Sequence, residues 1–402
     1  MSGTLACLEH LTFPHSMQTA LQHMEEWLSN GRVPGINISS EEFMKQICDD
    51  YVFSTKSKKN PKSQLTGLQE LFLVTKLAKA FSKRGSHESI RQELFWTLFP
   101  PSHMTPQRQQ VLTKVIGIGI AEKVVEVLEF GARFINASGP TSPSSQYIIQ
   151  HTIDDYVNLF PNNPSLQNIH YESELFTCSF LCTCSQILKP PRKIEKNFDI
   201  EKKELTLDIL KITSNWLYSK PTIGIASLPK QEGALLPPDP NCKSPTPVVG
   251  LIMWICKAAL ICYPQQLSNE WKKYYSRLRK GICGCLWEFK KLKGSEQAPL
   301  IANTDVIHMA KDLSKMCNEL QLRNECIVIE TVDVFLDFLD VAIGSLTVRA
   351  SPNEIREVLQ SLPSTISVKK SSIKLLPKDM YFKSAGLGDD SEEELEEQMD
   401  YY

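Results

Sequence analysis

Residues Pro247–Pro264 read PVVGLIMWICKAALICYP. Between Val248 and Tyr263 the only charged residue is Lys257. Val249, Ile252, Met253, Ile255, Cys256, Ala259, Leu260 and Cys262 fall all round a helical wheel rather than along one stripe. A helix that is apolar on every side is either buried in protein or set in a membrane. A span needs about 20 apolar residues. This run is shorter, carries a lysine near its middle and is bounded by proline at both ends. The pattern therefore predicts a buried helix with other helices packed round it, and an all-α fold.

The flanking sequence agrees. Downstream, helical periodicity covers 268–292, 304–321, 325–345 and 352–361. Ser351, Pro352 and Glu354 supply a cap, a first-turn proline and a capping-box acid for the last of these. Upstream, helices fit 202–218, 172–188 and 146–160. Thr105-Pro106 opens another, which Val111, Val115, Ile118, Val124, Val125 and Leu128 carry to about Phe134, weakened or bent by Gly117 and Gly119. The clearest amphipathic helix is 66–84. Thr66 and Gln69 suit a capping box, Leu68, Leu71, Phe72, Leu77, Ala78 and Phe81 make its face, and Gly85 closes it. Ser86 can cap a partner helix with Ile90, Leu94, Phe95 and Leu98 inward, ended by Pro100 and Pro101. Two helices so joined are expected to pack antiparallel. Met17, Leu21, Met24 and Leu28 mark a helix over 14–30 that Gly31 ends; Ser39 and Glu42 cap one with Phe43 and Ile47 on its apolar face.

At 402 residues the chain exceeds a single core. A connection holding Pro221, Pro229, Pro237, Pro238, Pro240, Pro245 and Pro247 divides it. The expected organisation is an N-terminal helical region (1–220), a Pro-rich linker loop (221–246), a C-terminal helical region (247–365) and a disordered acidic tail (366–402). No repeat of fixed period is visible, so an antiparallel helix array, a HEAT-like or armadillo-like solenoid, is an expectation about packing alone. From about Lys369 the apolar period is lost. Deletion of 369–402 is accordingly expected to leave the thermal midpoint nearly unchanged; a large drop on a melting curve would mean that the tail docks on the body.

The formal net charge is −2, but Asp389, Asp390, Glu392, Glu393, Glu394, Glu396, Glu397 and Asp400 crowd one short stretch without Lys or Arg. Without those eight the remainder carries +6, too little to argue nucleic-acid binding from charge alone. The start, MSGTLACLEHLTF, lacks the basic segment and long apolar core of a signal peptide. Cytosol or nucleus is the expected compartment, with the twelve cysteines as reduced thiols.

No catalytic signature is visible. Cys178, Cys182 and Cys184, and Cys283 and Cys285, have Cys-x-x-x-Cys-x-Cys and Cys-x-Cys spacings inside helical patterns. Zinc wants paired Cys-x-x-Cys knuckles, so buried thiols are the expectation. GIGIAEK (117–123) lacks the third glycine and the preceding strand of a phosphate loop. His308 and Asp305 share a surface helix turn. Asp154-Asp155 and Asp49-Asp50 are expected to be caps or solvated charges, because helical neighbours point apart. The cluster Lys56 to Lys62 suits a solvated loop as well as an import signal or a phosphate contact. Trp254, Trp271 and Trp287 are expected to serve packing rather than base stacking. No catalytic, cofactor-binding or metal site is expected, and no small-molecule substrate.

Four collinear stretches then carry a resemblance. LTGLQELFLVTKLAKAF with ESIRQELFWTLFPP (65–81, 88–101), IDDYVNLFP (153–161), TPVVGLIMWICKAAL (246–260), and LSKMCNELQLRN with IREVLQSLP (313–324, 355–363) are similar, in this order, to the family of the fifteenth subunit of the Integrator complex. The likeness runs over roughly residues 40–365. The resemblance implies a nuclear, non-catalytic, all-α scaffold. Integrator acts on RNA polymerase II transcripts and on small nuclear RNA 3′ ends through an endonuclease that is another subunit. The partners so implied are other Integrator subunits, chiefly the module of subunits ten, thirteen and fourteen, without a membrane or direct nucleic-acid contact. The rival is an RNA-binding helical repeat protein, favoured by the body's +6 and its lysine clusters.

Overall fold

The structure, a computed structural model, describes residues 2–30, 40–56, 62–82, 88–161, 163–187, 207–226, 247–265, 269–293, 299–319 and 325–363. The caps expected at Gly31, Ser39, Gly85 and Ser86, most of the Pro-rich connection and the acidic tail lie outside them. The fold is all-α. Among the described residues there are sixteen α-helices and one antiparallel pair of two-residue strands, Ser54–Thr55 with Ser63–Gln64. The described residues as far as Ile187 form one compact unit; 207–226 and those from 247 onward form another.

The first unit contains α1 (Ser2–His10), α2 (His15–Asn30), α3 (Ser40–Ile47), α4 (Gly67–Phe81), α5 (Glu88–Leu98), α6 (Pro106–Ala121), α7 (Val125–Ser138), α8 (Pro143–Leu159), α9 (Ser165–Glu172) and α10 (Glu174–Ile187). Its centre is α6, which packs against α4, α7, α8 and α9. Val111, Leu112, Val115, Ile116 and Ile120 are buried all round it. Thr105 caps its start by accepting a hydrogen bond from the Arg108 N–H, with Pro106 in the first turn. The helix does not run on to Phe134. It stops at Glu122, Lys123 turns the chain with a positive φ of 55°, and α7 folds back on α6. Gly119 makes the return possible: a Cβ there would lie 2.8 Å from the Val127 Cγ1. Gly119 therefore serves a close helix hairpin, whereas Gly117 has open space around it.

The expected helix over 172–188 is α10, Glu174–Ile187; the short α9 before it was not marked by the sequence pattern. Ser173 leaves helical geometry after α9. Its carbonyl accepts from the Thr177 N–H, and its hydroxyl from that of Phe176. From Phe176 to Ser185 every residue of α10 is buried. The hydroxyls in that run bond the carbonyl about one turn back: Thr183 to Ser179 at 3.1 Å, Ser179 to Leu175 at 2.9 Å, Ser185 to Cys182 at 2.8 Å. A buried polar group that is bonded in this way costs little. Small side chains with internal partners thus let α10 sink between α7 and α8.

The faces of α2 and α4 are rotated from the expected ones. Met17, Ala20, Met24 and Trp27 point inward on α2, with Trp27 against Phe43 at 5.6 Å. On α4 the capping box of Thr66 and Gln69 is present, but the buried face is Glu70, Leu73, Val74, Leu77, Ala78 and Phe81. The antiparallel pairing of α4 with α5 gives way to α4 on α6 and α5 on α2 and α3. Phe81 still meets Phe95 edge-on at 5.5 Å.

The second unit contains α11 (Leu207–Ser219), α12 (Pro247–Gln265), α13 (Asn269–Lys293), α14 (Asn303–Glu319), α15 (Glu325–Gly344) and α16 (Pro352–Ser361). Val248, Leu251, Ile252, Met253, Trp254, Ile255 and Cys256 of α12 are buried on all sides, as the sequence predicts. Its neighbours are α13, α14 and α15. No helix among the described residues is long and apolar enough to cross a membrane. The capping box of Ser351 and Glu354 starts α16. Helix α11, placed by the sequence pattern in 1–220, packs along α13. Gly281 sets that contact: a Cβ there would meet the Leu217 Cβ at 2.9 Å and the Tyr218 backbone nitrogen at 3.1 Å.

These glycines give a paired expectation. Backbone cannot yield as a side chain can, so Gly281→Ala should cost about 1–3 kcal/mol. Gly117 has nothing within 4 Å of the added Cβ, so Gly117→Ala should stabilise by about 0.5–1 kcal/mol. Chemical denaturation of the two variants checks the opposite signs.

Candidate interaction surface

Beyond α3 the chain makes one π-helical turn, Cys48–Val52, then the short strand pair. Two charge clusters hold this corner. Arg108, 2% exposed, reaches the Asp49 Oδ1 at 2.8 Å and donates to the Leu98 carbonyl at 2.6 Å. Its guanidinium lies over the Phe53 ring at 4.8 Å. It thus joins the start of α6, the end of α5 and the π turn. Asp50 takes Lys56 at 2.7 Å and Lys62 at 3.0 Å. The adjacent aspartates do diverge, but into separate ion pairs rather than into solvent. Both ends of the lysine cluster are therefore fastened to one carboxylate; residues 57–61 between them lie outside the described set.

Burial alone would raise the Asp50 carboxyl, but the hydrogen bonds from Lys56 and Lys62 outweigh it and hold the group below its usual range. The hydrogen bond to Asp50 raises Lys56 in turn. A depressed carboxylate adds stability above its unfolded value, about pH 3.9, and loses it as pH falls through the lower folded one. The raised lysine adds stability below about pH 10.4 and loses it as pH rises through the higher folded value. The gap in melting temperature between wild type and Asp50→Asn should thus be widest between those limits and close at both extremes. A gap independent of pH would exclude the ion pairs as its source.

The cysteine clusters lie on helices. Cys178, Cys182 and Cys184 lie within buried α10; Cys285 is buried in α13 and Cys283 half-buried. Burial pushes the Cys184 and Cys285 thiols well up and the Cys48 thiol up to about 12. Among the described residues no three His, Cys, Asp or Glu side chains are grouped so as to hold a metal ion. His308 and Asp305 are exposed on α14. The stretch 117–123 is the end of α6 and its turn.

Among the described residues a cleft of about 220 Å³ opens between Phe81, Glu88, Arg91, Glu126, Glu129, Phe130 and Arg133, and a shallower hollow is lined by Phe160, Pro161, Asn163 and Pro164. The cleft at Arg133 is smaller than the usual ligand pocket of about 300–1,000 Å³, and the hollow at Phe160 is nearly flat. Arg133 is already engaged by Gln92 at 3.2 Å and Glu88 at 3.9 Å.

The surface is more distinctive than the clefts. Leu68 is 83% exposed and Leu71 51%, both on α4. Phe72 beside them is half-buried, touched edge-on by Phe13 at 6.0 Å and overlain by the Lys76 ammonium at 5.3 Å. On the second unit Trp254 is buried and Trp271 intermediate, whereas Trp287 is 44% exposed, with one edge against Gly344 and Lys290 over its ring. Leu292 follows it, also exposed. Leu68 and Leu71, three residues apart, share one helix face, and adjoining exposed apolar side chains are the raw material of protein interfaces. Sequence periodicity cannot separate them from core positions, because both follow the same spacing.

Comparison with known proteins supplies a family. The sequence profile described as Integrator complex subunit 15 matches residues 3–364, reaching further toward the N-terminus than the four stretches themselves. The chain is 23% identical over 298 residues to Integrator complex subunit 15 of Drosophila melanogaster, covering 70% of this chain and 73% of that one. It is 24% identical over 352 residues to the Homo sapiens protein of the same name, covering 79% and 75%.

Proposed function

Because the chain belongs to the Integrator complex subunit 15 family, we propose that it is a nuclear, non-catalytic helical scaffold of that complex. Its work is to hold other Integrator subunits, chiefly the module of subunits ten, thirteen and fourteen, and so to support processing of RNA polymerase II transcripts and of small nuclear RNA 3′ ends. The observation that carries this is the family match along nearly the whole folded length. Relatives named as subunits of a complex support a binding role over an enzymatic one. The fold supports it too: the acidic and basic side chains in its first unit's corner are committed to internal pairs, while apolar side chains stand exposed on helices.

The RNA-binding rival draws on the lysine cluster, of which Lys56 and Lys62 are both spent on Asp50. Titration of the purified chain with single-stranded RNA at low and physiological salt separates the two. Phosphate contacts release counterions, so a protein making 6–10 of them loses about 10³–10⁵ in affinity over that interval. The scaffold predicts only weak, non-specific binding. Tight binding with that steep salt slope would favour the rival.

A further inference from the structure

Leu68, Leu71, Phe72, Thr75, Lys76 and Lys79 recur along one side of α4, the side turned away from its buried face. The stripe is graded. Its N-terminal half is apolar, with both leucines exposed and Phe72 half-buried; its C-terminal half carries two exposed lysines. The helix has one carboxylate, Glu70, and that is buried and paired with Lys114 of α6. No acidic group of α4 therefore offsets Lys76 and Lys79 on the stripe. From Leu68 to Lys79 the stripe runs three helical turns, about 16 Å at 1.5 Å per residue.

We propose that this stripe docks an acidic amphipathic helix of another Integrator subunit. The inference rests on the complex membership argued above and adds the surface and the chemistry of its partner. The occupant places apolar side chains at i, i+3 and i+4 over Leu68, Leu71 and Phe72, and Asp or Glu over Lys76 and Lys79. This is helix-on-helix recognition with apolar anchors at one end and charge setting direction at the other. Charge argues against a second copy of this chain. Antiparallel pairing would set each copy's lysines on the other's leucines, and parallel pairing would set lysine on lysine. Phe72, the third apolar residue of the stripe, is braced edge-on by Phe13 at 6.0 Å.

The test uses the full chain, tagged, in its own nuclei. A photoreactive side chain at Thr75, exposed midway along the stripe, should cross-link a peptide of another Integrator subunit that carries Asp or Glu with apolar residues at helical spacing. Cross-linking to a second copy, to residues 389–400 of the chain itself, or to a peptide without that pattern would overturn the proposal. Leu68→Glu with Leu71→Glu should melt within about a degree or two of wild type, since both side chains face solvent, yet lower recovery of the cross-linked subunit by about tenfold or more. Lys76→Glu with Lys79→Glu should lower it several-fold. Undiminished recovery by the leucine pair would overturn the surface while leaving complex membership standing. Failure of the unmutated chain to recover any Integrator subunit would overturn both.

Discussion

Trp254→Asp is expected to yield no soluble, cooperatively melting protein. Trp254 is 2% exposed at the centre of α12 and meets Tyr275 edge-on at 6.4 Å. Removing a buried Trp side chain costs about 3–5 kcal/mol in lost contacts and cavity. A carboxylate left in the same apolar site adds several more, or takes up a proton at a cost of its own. The sum is comparable with the whole stability of a typical domain, about 5–15 kcal/mol. Trp254→Phe, which keeps an aromatic ring and adds no charge, should still fold. Calorimetry of both variants checks the contrast. An aspartate variant that melts within a degree or two of wild type would mean that α12 is not enclosed.

Arg108→Met should be the next most damaging change. Methionine keeps the apolar stem but strips the guanidinium from four partners at once: Asp49, the Thr97 and Leu98 carbonyls and the Phe53 ring. The Leu98 carbonyl ends α5 and loses a charged donor, worth about 1.5–3 kcal/mol. Asp49 is 38% exposed and can recover water, so its loss is smaller than that of a fully buried partner. The expected total is about 2–4 kcal/mol, or a fall in midpoint of roughly 5–12 °C for a unit of this size. Asp49→Asn should cost less, since Arg108 keeps the carbonyl. If the aspartate change proved the more harmful, the arginine's role as a brace between helices would fail.

What the sequence revealed, and what it hid, follows from which signals are local. Helix α12 was legible because Leu, Ile, Met, Trp and Val surround it and no single face could absorb them. The boundaries of α13 to α16 and the caps at Thr66 and Ser351 were legible because proline, serine, threonine and their capping acids or amides act within one turn. The full burial of the equally central α6 and α10 was not, although the capped start of α6 and the span of α10 were. Their buried positions include Thr113, Gly117, Thr177, Ser179, Thr183 and Ser185, residues that a pattern counts as polar. Only backbone partners such as the Gln109 carbonyl for Thr113 or the Ser179 carbonyl for Thr183 reveal why they can be inside. The tie between Arg108 and Asp49 spans 59 positions and leaves no local trace. The exposure of Leu68 and Leu71 was hidden for the opposite reason. They keep the spacing of core leucines, and only the rotation of α4 onto α6, anchored by Glu70 on Lys114, turns them outward.

The most direct test of the scaffold assignment is recovery of partners on a tagged copy in its own nuclei. Other Integrator subunits should be recovered, with subunits ten, thirteen and fourteen the most enriched. Recovery should persist after ribonuclease treatment, because the contacts are between proteins, and should survive deletion of 369–402. Recovery of no Integrator subunit by the folded body, or loss of all recovery on ribonuclease treatment, would contradict the account.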